Sequence, residues 1–178
     1  GLEEIKGSLH TFLNAITYDD RTVFPVASTN EQEYYNLMDV YLNSALYPRV
    51  LEDERIFQKE GWHYHLESVN DTLEINGVVY NEMKGYYSNV NSLISLITKV
   101  EMFPNTSYRH SVGGDPAQIP ELSHQELGDF YREHYHPSNS RIFLYGDIDV
   151  ANRLEVCICS YNHLISLQYL DSYLKEYN

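Results

Sequence analysis

Between Trp62 and Val100 the chain changes its hydrophobic period, and that change most narrows the folds open to it. Trp62-His63-Tyr64-His65-Leu66-Glu67 alternates as a strand does, Val69-Asn70-Asp71 marks a turn, and Thr72–Ile75 reads as a second strand. Asn76-Gly77 is a further turn, after which Val78 to Val100 follows a helical period with breakers at Gly85 and Ser88-Asn89. Helices alternate with strands along the chain, but hairpin-like pairs such as this one fit a doubly wound parallel sheet poorly. The predicted class is α+β, with antiparallel strands packed against helices.

The flanking sequence supports that class. Leu2, Ile5, Leu9, Phe12 and Leu13 predict an amphipathic helix over 2–14. Thr22 to Thr29 reads as a strand in which Pro25 needs an edge or a position without a ladder N–H. Asn30, with Glu33 three residues on, caps a predicted helix to about Leu46 whose apolar face is Tyr34, Leu37, Met38, Tyr41, Leu42 and Ala45. A short helix is expected over Glu52–Glu60, and a loop region over Phe103–Pro120. Ser123 and Glu126 have capping-box spacing for a helix to about Tyr135. Ser140–Asp147 predicts a strand, followed by a helical C-terminus. At 178 residues, with no internal repeat and no linker, 1–178 reads as a single domain or one large piece of a domain.

The formal net charge of −14 argues against a nucleic-acid partner and against an anionic membrane surface. Solubility accounts for it, and attraction of basic peptides is the sharper alternative. No run approaches the ~18 apolar residues of a membrane span. The start Gly1–Lys6 reads as the middle of a helix, so no signal peptide is expected there. Cys157 and Cys159, the only cysteines, are spaced for neither a disulfide framework nor a four-ligand zinc module, and buried thiols are expected.

Neither H-x-x-E-H nor H-E-x-x-H occurs anywhere in the chain, so no paired-imidazole zinc helix with its own base is present. Glu82, early in the helix that follows Gly77, can project a carboxylate toward a metal held by a neighbouring helix. His63 and His65 lie two apart on a strand and face one side, so with Glu67 they could form a rival metal site; two partly exposed strand histidines are the plainer reading. His134 and His136, before Pro137, are expected to cap or pack. Gly113-Gly114 lacks the Lys-Ser/Thr of a phosphate loop.

Several ordered blocks resemble one branch of the pitrilysin-type metallopeptidases, that of the presequence proteases and falcilysin. They are Lys6–Tyr18, Asp20–Asn30, Tyr34–Leu42, Phe57–Tyr64, Gly77–Gly85, Ser111–Pro116 with Ile119-Pro120, and His136–Arg141 leading to Tyr145-Gly146-Asp147. The resemblance runs from about Lys6 to Asp149 and fades beyond Val150. Two positions depart from it. Asp19 stands where the family usually has proline, which is expected to loosen the first strand, and His65 stands where it usually has an acidic residue.

The resemblance implies a pitrilysin-type (LuxS/MPP-like) module, an antiparallel sheet packed against helices, one of several that together enclose a chamber. It implies that Glu82 is the carboxylate ligand of a catalytic zinc. The two histidines and the base of that site belong to an H-x-x-E-H expected shortly before Gly1, so 1–178 is an N-terminally truncated peptidase domain with no catalytic residue of its own. It further implies that Asn14, Ala15, Ile16 and Thr17 line a cleft in which an extended, unfolded peptide pairs with a strand edge. The expected partners are such peptides and the remaining peptidase-type domains of the parent protein, with neither nucleic acid nor membrane. The family's compartments are the mitochondrial matrix, the plastid or, in bacteria, the cytoplasm. The alternative function is a non-catalytic, peptide-binding or chamber-forming module.

Overall fold

The computed structural model describes residues 12–147 and 149–162. Its strands are β1 (Phe12–Leu13), β2 (Ile16–Thr17), β3 (Thr22–Val23), β4 (Val26–Ala27), β5 (His63–His65) and β6 (Glu74–Asn76). Its α-helices are α1 (Glu31–Leu46), α2 (Glu54–Glu60), α3 (Val78–Ser88), α4 (Val90–Met102), α5 (His124–His134) and α6 (Val150–Asn162). Helices with small antiparallel sheets make the chain α+β. The described residues divide into two compact units, the first made of 12–15, 24–48, 131–147 and 149–162, the second of 16–23 and 49–130.

In the first unit, β1 pairs antiparallel with β4, Phe12 opposite Ala27 and Leu13 opposite Val26. The helix expected over 2–14 lies outside the described residues up to 11, and Phe12-Leu13 is strand instead. Its helical spacing yields there to a ladder partner, because pairing with a β-branched strand outweighs weak local propensity. Asn14 N donates to Pro25 O at 3.1 Å, so Pro25, which has no N–H, takes part through its carbonyl alone. The Asn30 side chain accepts from Glu33 N at 2.9 Å, and Ser28 Oγ donates to the Glu33 carboxylate, which closes the start of α1. Tyr34, Leu37, Met38 and Tyr41 are its buried face. Leu37 is the tightest position, at 1% exposure.

Helix α6 packs on α1, so that Cys157 and Val156 meet Tyr34 and Met38, with Leu144 at the margin. Burial pushes the Cys157 thiol pKa up, as expected of a packed thiol rather than a reactive one. The Cys159 side chain lies outside the described residues. Arg153 on α6 is buried, donates to Gly146 O at 2.7 Å and stands over the Tyr34 ring. The strand predicted over Ser140–Asp147 does not form. Residues 141–145 have no ladder partner among the described residues, and Phe143 and Tyr145 are 88% and 86% exposed. Alternation supplies the propensity for a strand, but only a neighbour completes one.

In the second unit, β2 and β3 form a hairpin, Ile16 opposite Val23 and Thr17 opposite Thr22, closed by Tyr18 N donating to Arg21 O at 2.7 Å across Asp19-Asp20. Helix α2 begins on Asp53, whose carboxylate accepts from Arg55 N and from the Arg55 guanidinium. β5 and β6 pair with His63 opposite Asn76 and His65 opposite Glu74. The long helical stretch after Gly77 breaks at Asn89, whose side chain accepts from Asn91 N and Ser92 N and so restarts the chain as α4. Gly85 sits inside α3 without breaking it. The capping box is formed as its spacing requires, Ser123 N donating to the Glu126 carboxylate and Glu126 N to Ser123 Oγ. Two long-range bonds tie loops together: Trp62 Nε1 donates to Leu122 O, and His124 Nε2 to Val50 O. No helix among the described residues is long and apolar enough to cross a membrane.

Leu37→Ala is expected to lower the unfolding free energy by about 2–5 kcal/mol, because a fully enclosed leucine leaves a cavity that cannot collapse. Urea unfolding checks it; a loss within error would place α1 outside the core. The Arg55 guanidinium beside Asp53 holds that carboxyl down to about 2. A depressed pKa stabilises the fold above the ordinary carboxylate value and ceases to do so as pH falls through about 2. Helicity followed by circular dichroism on acidification should therefore fall less between those limits in Asp53→Asn than in the wild type.

Candidate metal-ligand helix and peptide-binding strand

Helix α3 starts where it does because Gly77 is glycine. Its φ of 152° falls where side chains are disfavoured, and a Cβ there would lie 2.2 Å from Gly61 O and 2.7 Å from Trp62 Cα. The helix start is thus seated on the Gly61-Trp62 bend that ends α2 and leads into β5. Tyr80 N donates to Gly61 O at 3.3 Å, which satisfies one of the amides a helix start leaves open. Asn76 Oδ1 accepts from Gly77 N and from Asn81 Nδ2, locking the turn from β6 into α3.

This seating decides where Glu82 points. Its neighbour Met83 is buried beneath Gly113, where an added Cβ would stand 2.2 Å from Met83 Sδ. With Met83 facing inward, Glu82 is exposed. Val78, Val79 and Tyr86, three and four residues away, are exposed as well. Gly85 leaves open space beside them. Among the described residues the Glu82 carboxylate has no hydrogen-bond or ion-pair partner. The arrangement is one carboxylate on a bare helical face with apolar shoulders.

The other candidate ligands do not assemble. Among the described residues, no three His, Cys, Asp or Glu side chains form a group that could hold a metal ion. The rings of His63 and His65 are 6.1 Å apart and edge-on. Strand β5 ends at His65, so Glu67 lies beyond the ladder and outside the alternation that would have aligned it with them. His63 Nδ1 donates to Gln58 O at 2.8 Å. His136 caps the 3-10 turn Pro137–Asn139, accepting from Ser138 N.

The segment Asn14–Thr17 divides between the units. Asn14 and Ala15 are exposed in the first, where Asn14 Oδ1 accepts from Ala15 N at 2.9 Å. Ile16 is half-buried and Thr17 exposed in the second. Thr17 sits between the hydrogen-bonded positions of Tyr18 and Ile16. Its own N–H and C=O therefore face away from β3, toward an edge that no described strand covers. Sequence reasoning misses what anchors this hairpin. The Lys99 ammonium of α4 bonds both Asp19 carboxylate oxygens, at 2.6 and 2.8 Å. The replacement expected to loosen the strand instead gives it an ion pair. Gly113, which belongs to no phosphate loop, acts as the seat of Met83.

Fold and site together describe an α+β chain with one outward carboxylate on a helix, and comparison with known proteins gives the class. A profile described as "Peptidase M16 inactive domain" matches residues 121–171, well past the point where the ordered blocks fade. "Protein HypA" of Clostridium perfringens is 49% identical over 98% of this chain and 18% of its own length. "Presequence protease 1, chloroplastic/mitochondrial" of Arabidopsis thaliana is 49% identical over 87% of this chain and 14% of its own. "Presequence protease, mitochondrial" of Schizosaccharomyces pombe is 42% identical over 83% and 15% respectively. The chain belongs to the pitrilysin-type M16 peptidase superfamily, in its presequence-protease branch. It spans less than a fifth of the length of these relatives.

Gly77→Ala and Gly85→Ala are expected to act in opposite directions. The first forces a Cβ into backbone and should unseat α3, with a loss above about 2 kcal/mol. The second meets nothing within 4 Å and should stabilise the helix by about 0.5–1 kcal/mol. Thermal denaturation of the two variants decides it, and equal losses would contradict the seating described.

Proposed function

We propose that the chain is a LuxS/MPP-like module of a zinc metalloendopeptidase for unfolded peptides, to which it contributes a metal ligand and a peptide-pairing strand but no general base. The observation that carries this reading is Glu82, a carboxylate held outward by the Gly77 and Met83 packing with no partner among the described residues. A catalytic zinc takes three protein ligands and keeps one position for water. The described residues supply one, so they do not by themselves fit the metal. When bound, the metal would lower the pKa of its water.

This chain's share is different. Glu82 brings a negative oxygen to the face shouldered by Val78, Val79 and Tyr86, which fits a second helix carrying the remaining ligands. Asn14–Thr17 receives an extended peptide by main-chain pairing, with Thr17 N–H and C=O turned toward the open edge. The net charge of −14 favours basic peptides. The remaining peptidase-type domains are the partners that would complete site and chamber.

A second reading is a peptide-binding or chamber-forming module without chemistry, favoured by the match to a profile described as inactive. Pure 1–178 is expected to cleave no fluorogenic peptide in the presence of zinc and to bind a labelled unstructured peptide with equal affinity in the wild type and in Glu82→Gln. Zinc-dependent cleavage abolished by Glu82→Gln would overturn the incompetence of the isolated chain. Failure to bind peptide would remove the strand from both readings.

A further inference from the structure

We infer that Lys99 and Asp19 are positioning residues whose ion pair fixes the peptide-pairing hairpin to the helix pair that carries Glu82. The inference rests on the peptide-pairing role proposed for Asn14–Thr17. A two-stranded hairpin is marginal in water, and β2 and β3 are only two residues each. A tie from outside the hairpin would steady it. At its tip, Asp19 is one of the two turn residues, and its side chain is largely buried. Both its carboxylate oxygens are taken by Lys99 Nζ, from a position 80 residues further along the chain. The other tip residues attend to themselves, Asp20 pairing with Arg21 while the Arg21 guanidinium lies over the Tyr18 ring.

Lys99 is well founded for this role. It lies in the last turn of α4, where a cation is favoured by the helix dipole, and its own carbonyl accepts from Phe103 N. Helix α4 packs on α3, the helix of Glu82. Within one unit, therefore, a line of contacts runs from the Glu82 helix through α4 and the ion pair to β2. Proline at position 19 could make no such pair, so a chain with aspartate there has a charge-dependent tie where proline would stiffen the turn through its ring.

The test uses the chain with Lys99→Met, Asp19→Asn and the exchanged pair Asp19→Lys/Lys99→Asp. Amide hydrogen exchange reads the hairpin, and anisotropy of a fluorescein-labelled unstructured peptide reads binding. Each single variant is expected to speed exchange at the Tyr18 amide and weaken the peptide by about threefold to fivefold, as loss of a part-buried pair should. The exchanged pair should restore both, high salt should reduce the wild type toward the single variants, and exchange in β5–β6 should not change. Unchanged hairpin exchange in Lys99→Met, or no restoration by the exchanged pair, overturns the ion pair as the tie. Faster exchange with unchanged peptide affinity overturns the positioning role. A wild-type chain that binds no peptide overturns the underlying reading and leaves the exchange result standing.

Discussion

The contact on which the site depends is the approach of Gly77 to the Gly61-Trp62 backbone. It is a contact that no side chain could make, since a Cβ at Gly77 would stand 2.2 Å from a carbonyl oxygen. Through it the end of α2, the start of β5 and the start of α3 become one junction. Trp62 carries the junction outward by its bond to Leu122 O, and Asn76 closes it from the β6 side. Once the start of α3 is fixed, the helical period decides the rest: Met83 inward under Gly113, Glu82 outward one turn into the helix. A carboxylate with no partner among the described residues acquires a defined direction because its neighbours have nowhere else to go.

The β2–β3 hairpin is held differently. Helix α3 is seated by steric exclusion, which salt and pH leave unchanged. The β2–β3 hairpin is tied by a charge pair, which salt weakens. The seat of α3 is indifferent to ionic conditions, while the hold on β2–β3 responds to them. The Thr17 main-chain groups face an edge that no described strand covers.

Features set by near neighbours along the chain are legible in the sequence. The Asn30 cap, the Ser123 and Glu126 capping box, the buried face of α1 and the break before α4 follow from spacings of four residues or fewer. Among candidate site residues, Glu82 is singled out only by its family context, and the structure adds that it is exposed. Features set by distant neighbours are hidden. The segment Ser140–Asp147 has the right alternation for a strand and lacks a partner, while Phe12-Leu13 has helical spacing and finds one. Lys99 carries no local signal for Asp19, and Gly113 carries none for Met83. Glu67 drops out of the rival metal site because strand length, which local pattern defines poorly, ends the alternation at His65.

If α3 presents Glu82 as a ligand to a metal held by a second helix, the pair should assemble a zinc site from separate pieces. The most direct measurement is zinc titration by calorimetry of the chain mixed with a helical peptide bearing H-x-x-E-H. The wild type is compared with Glu82→Gln, and the zinc environment is read by X-ray absorption. The expected result is a tighter zinc complex with chain and peptide together than with peptide alone, an added oxygen ligand, and loss of both in Glu82→Gln. Equal zinc affinity and an identical environment with wild type, Glu82→Gln and peptide alone would contradict it.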